Sequence, residues 1–202
     1  MTYLLDGPYD HKRFAGAVDP YPEFLWEYWS PMGLGQPLTP DLLALTPNPL
    51  IIVPPKVGPL PEVFGDKLGV FIVSQRVREA IESLEPSVHT FIPVNLMSQK
   101  DNQPLGQAFI LYIGTSIDAI DREKTLFLGG AGLEDFAKDN TPRRHAIAIQ
   151  SGLVEGKHLW RGGRGEVRKE CDPFAWHRFC SDELKSKLEE IVGADLVFHH
   201  CK

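Results

Sequence analysis

The stretch FCSDELKSKLEEIVGADLVFHHC, residues 179 to 201, decides the fold. Ser181 suits a helix N-cap, because its hydroxyl can accept an orphan backbone N–H of the first turn. Leu184, Leu188 and Ile191 follow at the spacing that gathers apolar side chains on one face. Glu183 falls in the first turn, where the helix dipole favours a carboxylate, and Gly193 supplies a stop. Leu196 to His199 then reads as a closing strand. Upstream, VSQRVREAIESLEP at residues 73 to 86 has the same grammar. Ser74 caps, Val77, Ile81 and Leu84 fall at i, i+4 and i+7, Arg76, Arg78, Glu79 and Glu82 take other faces, and Pro86 ends the run. Aligning Ser74, Val77 and Ile81 with Ser181, Leu184 and Leu188 gives one strand, cap, helix, strand unit twice.

Between these units, Thr90 to Met97 and Gln107 to Ile113 are β-rich runs joined across the polar loop Ser98 to Pro104, a hairpin with a long turn. Thr125 to Leu128 and His145 to Ile149 read as further short strands, with glycines 129, 130 and 132 and a brief helix around Leu133 to Lys138 between them. Most of the 17 prolines precede residue 62. Their density argues against a long helix or an interior strand there, since proline lacks the amide donor and restricts its predecessor. Leu50 to Val53 is still a compact β-branched run, and Tyr21 to Trp29 is rich in large aromatics, so this part must pack against something. The fold class is α+β: short antiparallel strands and hairpins with two capped amphipathic helices. Residues 1–202 form one domain in this reading, with 1–64 an aromatic and proline-rich wrapping segment and 65–202 the core.

A chain of 202 residues fits one hydrophobic core. Its 43% apolar and 24% charged residues match ordinary globular usage. No run approaches the roughly 18 to 20 apolar residues of a membrane helix, and MTYLLDGPYDHKRF has an acidic residue where a secretory signal would be apolar. A cytoplasmic protein that neither spans nor binds a membrane is expected. Cys171, Cys180 and Cys201 are odd in number and spread over the last third, which suits reduced thiols. The net charge of −6 and pI near 5.6 favour a basic protein partner over nucleic acid.

Candidate chemistry is sparse. His177, His199 and His200 with the three cysteines suggest a zinc-stabilised module, but the spacing lacks any knuckle and strand alternation parts His199 from His200. No metal and no cofactor are expected. His158, Trp160 and Arg161, with Arg143, Arg144 and His145 nearby in sequence, offer a base, a stacking surface and anion-binding forks. A small hydrolase or transferase around His158 and Arg161 is therefore the alternative function. Against it, Leu159 would point inward with His158 and Trp160 on the other face, making Trp160 a packed cover, and no second catalytic group can be placed. Asp118 and Asp121 read as a solvated turn, and neither glycine cluster completes a nucleotide-binding motif. In YPEFLWEYW, Phe24, Leu25, Tyr28 and Trp29 form one apolar arc, leaving Trp26 on the flank as a candidate exposed anchor.

GKHLWR at 156 to 161, FCSDELKSKLEE at 179 to 190 and VSQRVREAIESLEP at 73 to 86 resemble a bacterial family, the polymorphic-toxin immunity protein family eleven, otherwise catalogued as a domain of unknown function. The resemblance spans roughly residues 65 to 200. RGGRGEVRKECDP departs from the family's short connection after LWR. The resemblance implies a non-enzymatic immunity protein that binds and neutralises a cognate toxin, and carries over no catalytic residue. Trp26, Arg143, Arg144, His158 and Arg161 are the candidate partner-binding residues.

Overall fold

The computed structural model describes residues 1–6, 16–17, 28, 30–54, 58–67, 70–127, 145–162 and 177–202. Thirteen strands are seen among them: β1 (Thr2–Asp6), β2 (Gly16–Ala17), β3 (Leu50–Val53), β4 (Val63–Lys67), β5 (Val70–Val73), β6 (Thr90–Ser98), β7 (Pro104–Tyr112), β8 (Ser116–Ile117), β9 (Leu126–Phe127), β10 (His145–Ala146), β11 (Leu159–Gly162), β12 (Arg178–Ser181) and β13 (Val197–His200). The helices are α1 (Ser30–Leu34), α2 (Pro40–Ala44), α3 (Gln75–Glu82) and α4 (Asp182–Val192). One sheet has the order β2-β3-β6-β7-β5-β4, a second β13-β1-β12-β11-β8, and β9 pairs with β10. Antiparallel pairs dominate, with β3–β6 and β8–β11 parallel, so the arrangement is α+β.

The two capped helices sit in corresponding surroundings. β5, α3 and β6 straddle β7, which pairs antiparallel with both strands. β12, α4 and β13 straddle β1 in the same way. Ser74 Oγ accepts the N–H of Val77 at 3.3 Å, and Ser181 Oγ that of Leu184 at 3.2 Å. Ser74 N–H donates to Glu62 O at 2.9 Å as Ser181 N–H donates to His158 O at 3.0 Å. Arg78 lies over Phe109 and Phe91, at 4.8 and 5.6 Å from the ring centroids, and pairs with Glu82 at 3.0 Å. Lys185 lies over Tyr3 and Phe198, at 5.0 and 5.7 Å, and pairs with Glu189 at 2.6 Å. Residues 74–91 and 181–198 thus run in step without a gap. Each cation rests on two aromatic faces, a contact worth about 0.5–1 kcal/mol at exposed sites.

Val77 and Ile81 of α3, and Leu184, Leu188 and Val192 of α4, join Tyr3, Leu5, Val73, Leu111 and Leu159 in a core shared by both sheets. The buried stripe of α4 ends on Val192, one residue past the expected Ile191, which is partly buried against it. Tyr28, Met32, Leu50 and Ile52 pack on the outer face of the six-stranded sheet, and Ile120, Ile147 and Val154 on that of the five-stranded one. Covered on both faces, the strands read as unbroken apolar runs such as Val70–Val73.

The proline-rich part does hold an interior strand, contrary to expectation. β3 lies between β2 and β6, because Pro49 and Pro54 flank its four residues and leave every ladder N–H in place. The expected helix around Leu133 to Lys138 lies outside the described residues. No described helix is long and apolar enough to cross a membrane.

Candidate functional site

The GKHLWR segment sends its side chains to three destinations. Leu159 enters the core shared by the helices. Trp160, 1% exposed, faces the other way and stacks on Phe179 with centroids 6.0 Å apart. Its indole N–H finds no hydrogen-bond partner among the described residues. Arg161, 6% exposed, donates from Nε to Ile113 O at 3.2 Å and from Nη2 to Gly35 O at 3.4 Å, and Tyr112 donates its hydroxyl to that same Gly35 carbonyl at 3.1 Å. Burial pulls its pKa below the usual guanidinium value. Gly35 has φ +61°, and a Cβ there would run into the guanidinium, so only glycine allows this approach. Arg161 is therefore a bolt between β11 and the segment after α1.

A buried carboxylate sets the start of β11. Glu85 Oε2 accepts the N–H of Leu159 at 2.8 Å and pairs with His89 Nε2 at 2.9 Å. Gly114 N–H donates to His89 Nδ1 at 3.2 Å, which assigns the ring proton to Nε2 and makes it the donor to Glu85. Burial pushes the Glu85 carboxyl up, but hydrogen bonds from His89 and from the backbones of His158 and Leu159 outweigh it and hold the group below the usual carboxylate range. Asp195 is buried likewise, and its Oδ2 accepts the N–H of Glu62 at 2.8 Å, at the start of β4.

An open cleft of about 700 Å³ lies at the end of the five-stranded sheet, where β1 and β11 begin and β12 and β13 end. Its apolar lining includes Ile149, Val154 and Trp160; His158, Asp182 and Glu183 supply polar groups. His158 Nδ1 lies 2.9 Å from Ser181 Oγ. That oxygen also accepts from Leu184 N–H, and the imidazole tautomer sets which partner donates between His158 and Ser181. Glu183 Oε2 is 3.9 Å from the same ring nitrogen. Tyr3 donates its hydroxyl to Asp182 Oδ1 at 3.0 Å, and this bond raises the phenol's pKa.

Of the residues expected at a binding site, His158 lines this cleft and Arg161 does not. The two do not meet in this cleft, where the hydrolase or transferase alternative would have brought them together. Trp26, Arg143 and Arg144 lie outside the described residues. Asp118 and Asp121 form local ion pairs with Arg122 and Lys124 at 2.8 and 2.7 Å. Cys180 faces the helices and Cys201 the opposite side of the sheet. Burial raises both thiols, that of Cys201 to about 12. No group of three or more metal-ligating side chains occurs among the described residues. His200 packs edge-on against Tyr3 at 5.5 Å.

Sequence reasoning missed Glu85 and Asp195 as positioning groups, and read Ser181 as a helix cap without its contact to His158. Ser181 and His158 were each visible in a quoted motif, and the antiparallel β11–β12 register is what joins them.

No curated protein matches the chain. The profile of the Immunity protein family (Imm11) matches residues 10–201, taking in GKHLWR, both capped helices and nearly all the strands that build the cleft. By that match, the chain belongs to the immunity protein family (Imm11).

Proposed function

We propose that this chain is an immunity protein that neutralises a cognate, basic toxin in the bacterial cytoplasm by stoichiometric binding, without catalysis. Family membership is the observation that carries the reading. The net charge of −6 supports a basic partner, since opposite charge speeds encounter and disfavours wrong partners. Two sheets locked around one shared core supply the rigid framework that keeps the ordering cost of association low. In this reading the chain works as one domain, with neither nucleic acid nor membrane as its target. Trp26, Arg143 and Arg144 contact the toxin directly, as does His158 from the cleft. Arg161 serves by holding β11 in place.

The test is recovery of the tagged protein from its native host through a salt wash, with mass spectrometry of whatever remains at one-to-one stoichiometry. A toxin is the expected partner, and co-expression should then rescue cells from it. Failure to protect against every toxin encoded beside the gene would sink the proposal.

A further inference from the structure

The two corresponding halves part at one place. In the first half, Arg76 Nη1 closes on Glu62 Oε1 at 2.9 Å. Glu183 and His158 hold the matching positions, each set by its own capping serine, and there the charges are reversed and the gap is 3.9 Å. Gln75, likewise, is matched by Asp182. The first half shuts this corner with its own cation, whereas the second lines it with two carboxylates beside an open cleft.

We propose that this cleft is where the toxin docks, and that its occupant is a toxin loop bearing an arginine or lysine. The inference rests on the immunity reading and adds to it the surface and the chemistry. The cation sits against Asp182 and Glu183, while its alkyl stem lies on Ile149, Val154 and Trp160. Glu183 is free to respond, its side chain being 62% exposed. Glu155, Asp182 and Glu183 stand around the cleft with Lys157, Lys202 and the Met1 amine, so it is the adjacent pair Asp182 and Glu183, and not the net charge of the lining, that favours a positive guest. Trp160 adds a second, independent sign: it lines the cleft and carries a buried indole N–H with no partner among the described residues, which a main-chain carbonyl of the loop reaches once the ring shifts as the loop seats.

The probe is the toxin domain encoded beside this gene, made inactive and titrated against the full chain. Gly152 lines the cleft and a Cβ there meets nothing within 4 Å, so Gly152→Trp sets a bulky ring at the cleft's rim without a steric clash at Cβ. The double variant His158→Glu with Glu183→Arg installs the first half's ion pair and shuts the corner from within. Each should weaken binding at least 100-fold with an unchanged melting temperature, while Arg76→Gln leaves binding as it is. If the double variant fails to fold, Gly152→Trp decides alone. Undiminished binding by Gly152→Trp overturns the cleft assignment and leaves the immunity reading standing. A wild-type chain that binds no such toxin and protects no cell overturns both.

Discussion

Glu85 and Asp195 perform the same service in opposite directions. Glu85, just beyond α3, accepts the first N–H of β11 at 2.8 Å, and Asp195, just beyond α4, accepts the N–H that leads into β4 at 2.8 Å. Each buried carboxylate thus pins a strand of the other half, and the halves are joined by reciprocal hydrogen bonds as well as by apolar packing.

Removing Glu85 should loosen that joint. Glu85→Ala strands the Leu159 N–H and the His89 Nε2–H, each a buried donor costing about 1–3 kcal/mol when unpaired. A loss of about 2–5 kcal/mol in urea unfolding is expected; a loss below about 0.5 kcal/mol would show that water replaces the carboxylate freely.

The same group predicts a pH dependence. Its folded pKa is depressed, so its contribution is fully present above the unfolded value of about 4.3 and disappears as pH falls through the lower folded value. The stability gap between wild type and Glu85→Gln should stay constant above about pH 5 and narrow below it. A gap that widened on acidification would contradict the assignment.

Trp160 packs on both Phe179 and the β-sheet core, so Trp160→Ala should cost about 3–5 kcal/mol. Trp160→Phe keeps the aromatic stack and deletes the unpaired N–H. It should cost less than half as much; equal losses would mean that the indole N–H has a partner after all.

At Gly35, alanine meets both a left-handed backbone, costing about 1–2 kcal/mol, and the Arg161 guanidinium. Gly35→Ala should therefore destabilise by more than about 2 kcal/mol. Gly152→Ala, with open space and ordinary φ, should be neutral in the same thermal melts.

Leu188 lies 2% exposed at the centre of the α4 stripe. Leu188→Ala should cost about 2–5 kcal/mol, and a shift of a few tenths would place the helix at the periphery.

Local grammar was legible in the sequence. Ser74 and Ser181 cap as their spacing predicts, and the hairpin of β6 and β7 follows from two β-rich runs about a polar loop. Long-range pairing was not. Nothing in Thr2–Asp6 announces a strand flanked by β12 and β13, because its partners are set by register and not by neighbours in the chain. Arg161 shows the same limit: an arginine reads as a surface residue until Gly35 and Ile113 bring carbonyls to it. His158 came close to its proper place, since alternation put it on the Trp160 face, but the cleft needed Ser181 from another strand.

The insertion of β1 between β12 and β13 also fixes an order of events during synthesis. Residues 62 to 112, which build the first hairpins and α3, can assemble as soon as they leave the ribosome. β1 is made before all of them and must wait, with Leu4 and Leu5 unburied, until both neighbours have been translated. At about 5–20 residues per second the delay is roughly 10 to 40 s. Arrest-peptide force measurements should show the first half pulling early and the second only after β13 emerges. A newly translated chain therefore completes its cleft last, only when synthesis of this whole region is finished.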